Sequence, residues 1–206
     1  MNKELLLSPR SLLHVLILGD HSTGKTSILY KYMNLMKHVN ITTGYEQHLH
    51  HIKMLDKKYC INIFDMSGHY SCHKIVEQLI NNNNYDGIIF VFDLSSINSF
   101  NNLNYWIDLS NNKYKNNKFR ILIGNKSDKL NKIVSMDKIK EFSIKNNMYY
   151  FETSFITNTN ITNAFDFFFY NLVESTACNN VVLENNINIK TNEQPKRNCC
   201  FIDIHF

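Results

Sequence analysis

Glycine is scarce in this chain. There are six in 206 residues, where average usage of about 7% would give roughly fourteen. A sequence this poor in glycine keeps it where the backbone needs positive φ or a very close approach to a ligand. Five of the six, Gly19, Gly24, Gly44, Gly68 and Gly124, fall inside candidate ligand-binding segments, and Gly87 opens a strand. A large charge excess is missing too. The formal net charge is only +4, and the lysines are scattered among asparagines, which leaves no basic stripe for nucleic acid and reads as solvated surface. No long hydrophobic run is present: Leu5-Leu6-Leu7 is cut by Ser8-Pro9-Arg10 and is too short for a signal sequence or a membrane span. Asn2 in place of glycine excludes N-myristoylation. The five cysteines, at 60, 72, 178, 199 and 200, show no C-x-x-C spacing, so a reduced, cytosolic chain is expected.

What is present supports a sizeable core, since 44% of the residues are hydrophobic. The length suits one α/β domain of about 170 residues and a tail, not two domains. Residues 12–18 form an apolar, strand-length run, and 27–33 after Gly19 suit a helix. Segments 46–55 and 59–64 flank the polar turn Asp56-Lys57-Lys58 and read as a hairpin. Two further buried strands are expected at 87–92 and 119–123, with a last one at 148–151. Helices are expected at 99–110, behind Ser95-Ser96, at 135–146 and at 161–174. The lone Trp106 falls on the core face of the first of these. Strands alternating with helices argue for a mainly parallel, doubly wound sheet. The asparagine runs at 81–84, 111–117 and 179–188 are expected in surface loops or disorder. The expected organisation is an N-terminal extension over 1–11, the domain over 12–176 and a flexible tail over 177–206.

Gly19-Asp20-His21-Ser22-Thr23-Gly24-Lys25-Thr26 matches G-x-x-x-x-G-K-[ST] between a strand and a helix. Its backbone N–H groups and the helix N-terminus would cradle phosphates, Lys25 would reach the β- and γ-phosphates, and the Thr26 hydroxyl would bind Mg²⁺. Asp65-Met66-Ser67-Gly68 ends an apolar strand; there Asp65 can approach the magnesium shell and the Gly68 N–H a γ-phosphate. Asn125-Lys126-Ser127-Asp128 follows another strand and Gly124. The Asp128 carboxylate can accept two hydrogen bonds from guanine N1–H and N2–H₂, a pair that adenine lacks. GTP is therefore favoured over ATP.

These segments, with Thr153-Ser154, resemble the Ras superfamily of small GTPases over residues 12–176. Val91-Phe92-Asp93-Leu94-Ser95, Ser99-Phe100, Asn102-Leu103 and Trp106 look like the Rab branch. The resemblance implies a P-loop NTPase fold, the small G domain, with a six-stranded sheet flanked by about five helices. It also implies a GTP/GDP switch with Mg²⁺, effector and exchange-factor partners, and a role in vesicle or intracellular transport. By position, Thr42 would be the switch I threonine that closes on Mg²⁺ and γ-phosphate, with Thr43 the runner-up beside Gly44. Ser154 and the backbone of Phe155 would contact the guanine carbonyl.

Some positions depart from the family's pattern. His69 stands where a glutamine usually orients the attacking water, and His21 would crowd the γ-phosphate and any arginine finger. Both point to slow hydrolysis, although a histidine can also position water or act as a base. Lys25 and His69 are thus the candidate catalytic residues, with a non-hydrolysing GTP-binding scaffold as the alternative. Phe155 and Ile156 replace the usual alanine and lysine, and switch I offers only His38 to stack on guanine. The segment 70–76 does not match the usual Rab switch II, so ordinary Rab partners are not assumed. His48 and His50 share one face of a strand, read as solvent-facing on a sheet edge. In the tail, Pro195-Lys196-Arg197-Asn198-Cys199-Cys200 resembles a lipidated Rab ending, but six residues follow. That excludes a C-a-a-X box. Cys199 and Cys200 remain candidates for palmitoylation, and an unmodified tail is the alternative, so the expectation is cytosolic protein with conditional membrane contact.

Overall fold

In the computed structural model, residues 12–35, 41–54, 57–114 and 118–184 are described. His38, Cys199, Cys200 and the segments 1–11 and 185–206 lie outside the described residues. The strands are β1 (Leu12–Leu18), β2 (Tyr45–Met54), β3 (Lys57–Met66), β4 (Gly87–Asp93), β5 (Phe119–Asn125) and β6 (Tyr149–Thr153). They form a six-stranded sheet in the order β2-β3-β1-β4-β5-β6. Only β2 and β3 pair antiparallel, as the hairpin pattern requires, and all other pairs are parallel.

The helices are α1 (Lys25–Tyr32), α2 (His73–Asn82), α3 (Ile97–Asn101), α4 (Leu103–Tyr114), α5 (Met136–Lys145) and α6 (Ile161–Glu184). They cover both faces, so the central strands are apolar throughout. All of β4 is buried, and its alternating side chains serve two cores. Ile88, Phe90 and Phe92 join Leu16 and Leu18 against Val76, Leu103 and Trp106. Ile89 and Val91 join Val15 and Ile17 against Ile28, Phe165 and Phe169. On α6 the fully buried Phe165, Phe168, Phe169 and Leu172 recur at the spacing of one helical face. Gly87 does more than open a strand, because a Cβ there would come within 2.7 Å of Phe168 and 2.9 Å of Leu172.

Four expectations need correction. The segment 99–110 is two helices, α3 and α4, with the Ser96 hydroxyl accepting from the Ser99 N–H at 3.3 Å. Helix α2 was not anticipated, although Ile75, Val76, Leu79 and Ile80 recur at helical spacing; Val76 and Ile80 are the ones it buries. The asparagine runs are not simply loops. Asn81 and Asn82 end α2, 111–114 extend α4, and α6 runs on past Glu174 through Asn179 and Asn180. Asparagine suits helix ends because its amide can take up a freed carbonyl, as Asn83 and Asn146 do to Leu79 and Phe142, both at 2.9 Å. Finally, His48 and His50 do not face solvent. His48 lies edge-on to Tyr30 at 5.4 Å, and His50 lies 5.3 Å from Tyr32 and 6.2 Å from Phe169. It is Leu49, on the other face of β2, that is 60% exposed.

Candidate functional site

The carboxyl ends of β1, β3, β4 and β5 converge on one edge of the sheet, and the loops leaving them build a cleft of about 350 Å³. Ser22, Lys25 and Thr26 line it from one side, and Thr42, Gly68 and Lys126 from the others. The loop 19–24 is wound through left-handed backbone at Gly19, Ser22 and Gly24, with φ of 147°, 60° and 94°. A serine held at positive φ marks strain that the surroundings must hold in place. Those surroundings are polar. Asn125 Nδ2 donates to Thr23 O at 2.8 Å, and Lys126 Nζ to Ser22 O at 2.6 Å. Asp93, closing the buried strand β4, fixes Lys126 through a 2.7 Å ion pair. The two motifs therefore form one hydrogen-bonded unit. Gly24 permits it, because a Cβ there would sit 2.2 Å from Asn125 Nδ2.

Lys25 is buried, and its ammonium donates to Gly19 O at 2.9 Å and Asp20 O at 2.8 Å. Burial lowers its pKa to about 8, opposed by the nearby carboxylates of Asp65 and Asp20. A nearby anion such as phosphate would favour the charged form. Asp65 is the mirror case, since burial raises it to about 6 against the pull of Lys25 and the Thr26 hydroxyl.

Three of the expected metal-binding groups meet. Thr26 Oγ1 donates to Asp65 Oδ2 at 2.5 Å and lies 3.0 Å from Thr42 Oγ1. The other carboxylate oxygen, Asp65 Oδ1, is buried and has no hydrogen-bond partner among the described residues. An all-oxygen set with an unused carboxylate oxygen suits Mg²⁺. Thr42 reaches this cluster, whereas Thr43 is exposed. Next to it, Gly44 O accepts from Ser67 N at 2.9 Å, tying the loop before β2 to the end of β3.

Gly68 lies against the phosphate loop. Its carbonyl accepts from His21 N at 3.1 Å, and a Cβ there would meet the Asp20 backbone at 2.2 Å and His21 N at 2.4 Å. His21 and His69 face each other edge-on at 5.6 Å. His69 also caps the short turn Tyr70–Cys72, with Nδ1 accepting from Ser71 N at 3.3 Å and lying 2.8 Å from Ser71 Oγ.

At the other end, Ser154 Oγ donates to Asp128 Oδ1 at 2.5 Å and accepts from Thr157 N at 3.1 Å. The Asn125 carboxamide is held by Thr153 Oγ1 at 3.1 Å. Phe155 is 39% exposed. Sequence reasoning missed two contributors. Asp93 carries a signal, as an acid ending an apolar strand. Trp106, read only as core, is fully buried yet donates its indole N–H to Asp20 Oδ1 at 2.8 Å.

Comparison with known proteins agrees with this geometry. The sequence model of the Ras family matches residues 14–174. The chain is 30% identical to "Ras-related protein RABG3f" of Arabidopsis thaliana over 202 residues, covering 93% of this chain and 97% of that protein. It is 27% identical to "Ras-related protein RabH" of Dictyostelium discoideum over 184 residues, covering 88% and 90%. It is 28% identical to "Ras-related protein Rab7" of Pisum sativum over 202 residues, covering 93% and 97%. A match across the whole sheet, together with Rab-named relatives over nearly the full length, means that the chain belongs to the Ras family of small GTPases, as a divergent Rab-like member.

Proposed function

We propose that this protein is a GTP/GDP-dependent switch of Rab-like type, acting in vesicle or intracellular transport, with slow intrinsic hydrolysis of GTP to GDP and phosphate. The observation that carries the nucleotide reading is the joining of the two loops: Asn125 holds the carbonyl of Thr23, and Ser154 aims the carboxylate of Asp128. One loop reads guanine and the other cradles phosphate.

In this reading Lys25 leaves the carbonyls of Gly19 and Asp20 for the β- and γ-phosphates, and the amides from Gly19 to Thr26 complete the cradle. Thr26, Thr42 and Asp65 would hold Mg²⁺, which when bound neutralises charge on the phosphate oxygens. Gly68 brings its N–H toward the γ-phosphate. Asn125, Lys126, Asp128, Ser154 and the backbone of Phe155 orient the base. His69 is the water-positioning candidate. Among the described residues no helix is long and apolar enough to cross a membrane. Conditional membrane contact through the tail cysteines Cys199 and Cys200, and binding of effector and exchange-factor proteins, belong to the same reading. The proposed division of the chain is a G domain over 12–176 and a tail over 177–206, with α6 running on across that boundary to Glu184.

A second reading is a GTP-bound scaffold that does not hydrolyse. What favours it is His69, whose Nδ1 is taken up by Ser71. Identifying the nucleotide retained by the purified protein tests both: GDP supports a working GTPase, GTP supports the slow switch or scaffold, and retained adenine nucleotide overturns the guanine assignment. Single-turnover kinetics then separates a slow switch from a scaffold.

A further inference from the structure

The phosphate loop is gripped from two sides. The guanine loop holds the carbonyls of Ser22 and Thr23. The other grip is on Asp20, at the start of the loop. Asp20 Oδ1 accepts from the Trp106 indole at 2.8 Å, and Asp20 Oδ2 from Asn102 Nδ2 at 2.7 Å. Both donors come from the α3–α4 region, far away in sequence. The carbonyl of this same Asp20 accepts from Lys25 Nζ at 2.8 Å and from Thr23 Oγ1 at 3.0 Å. Where the Asp20 carboxylate is anchored therefore fixes where Lys25 rests.

Trp106 has a second neighbour. His73, the first residue of α2, lies edge-on to the indole at 5.1 Å and stacked on Tyr105 at 4.8 Å. Helix α2 follows directly from the turn capped by His69. The indole thus contacts the segment after Gly68 through its ring and the phosphate loop through its N–H.

We propose that Trp106 and Asn102 are positioning residues for nucleotide binding: both act through the Asp20 carboxylate to set the phosphate loop, and Trp106, through His73, ties that setting to α2. The proposal rests on the reading of the cleft as a guanine-nucleotide site. Without its two donors the carboxylate loses the hydrogen bonds that anchor it beside a site for phosphates, the Asp20 carbonyl that holds Lys25 is no longer fixed, and bound nucleotide is released faster.

The test is a double-mutant cycle on the full chain, read as dissociation of a fluorescent GDP analogue, with thermal unfolding as a control. Trp106→Phe keeps the aromatic packing and removes the N–H. It is expected to speed dissociation about tenfold, but by less than about twofold in an Asp20→Ala background, because coupled residues are not additive. Asn102→Ala leaves the core intact and applies the same test at the other oxygen, independently of whether Trp106→Phe folds. A loss of packing alone would speed release equally in both backgrounds, and that result, or no acceleration by either variant, overturns the proposal. Failure of the wild-type chain to bind the analogue would instead sink the nucleotide reading, and this inference with it.

Discussion

Replacing His69 with glutamine is expected to speed GTP hydrolysis. A ring nitrogen that accepts from a backbone N–H carries no proton of its own. Since His69 Nδ1 accepts from Ser71 N at 3.3 Å, the neutral imidazole holds its proton on Nε2. In that tautomer Nε2 can donate to a water but cannot take a proton from it. The ring is further held by Tyr70, 4.5 Å away, and by His21 at 5.6 Å. In this tautomer the basic nitrogen is Nδ1, so to act as a base through it His69 must give up both Ser71 contacts. At about 0.5 kcal/mol each, the low end because Ser71 is exposed, release costs about 1 kcal/mol, or about fivefold in rate. Glutamine has no such commitment, so His69→Gln should hydrolyse pre-bound GTP at least about fivefold faster in single-turnover assays with Mg²⁺. His21→Ser added to it shows whether the second imidazole also obstructs. A rate at or below wild type in both the single and the double variant would refute the reasoning and leave the scaffold reading in its place.

Two further outcomes follow from the same geometry. Ser154→Ala removes the hydroxyl that holds Asp128 at 2.5 Å, and should weaken GDP binding roughly tenfold while leaving the sheet intact; unchanged displacement of a fluorescent GDP analogue would contradict that role. His50 has its pKa lowered by burial, then by the neighbouring His51, against the opposing Asp166. The unfolded chain therefore takes up a proton near pH 6.5 that the folded chain resists. Stability is complete above that pH and falls as the pH drops through the lower folded value. His50→Phe should flatten this acid limb in denaturant midpoints taken from pH 7.5 to 5, and an identical slope in both proteins would dismiss His50 as its source.

The cleft was legible because its motifs are local. Eight consecutive residues specify the phosphate loop, and the positions of Asp65 and Asn125 at the ends of apolar runs bring them to the same sheet edge once the strands are parallel. What stayed illegible depends on partners far along the chain. Period-two alternation showed that His48 and His50 share a face, but not that this face packs on the tyrosines of α1. Nor does hydrophobicity decide it, since the apolar Leu49 points outward. Trp106 looked like core by composition and is core by burial, yet its indole N–H needs an acceptor inside the fold, and only the tertiary structure shows that this is Asp20. Helix α2 did carry a signal, since Ile75, Val76, Leu79 and Ile80 recur at helical spacing, but the asparagines that end it cut the pattern short.

The scarcity of glycine acquires a physical meaning at this point. A left-handed turn needs tolerance of positive φ, which asparagine offers almost as well as glycine when the side chain has room. This chain uses asparagine there: Asn34, Asn147, Asn158 and Asn160 have φ between 52° and 57°, and all four are exposed. Glycine remains where a side chain would collide. At Gly68 the obstruction is the Asp20 and His21 backbone, at Gly24 the Asn125 amide, and at Gly19 the Val91 carbonyl, 2.0 Å from a Cβ. Asparagine cannot substitute there, because the objection is to any Cβ. Gly44 is the exception, with open space around it and φ of 78°. Three glycines thus mark backbone packed within and against the phosphate loop. That distribution constrains the shape of the nucleotide cradle, and it places no comparable constraint on His21 and His69, whose side chains reach beyond it.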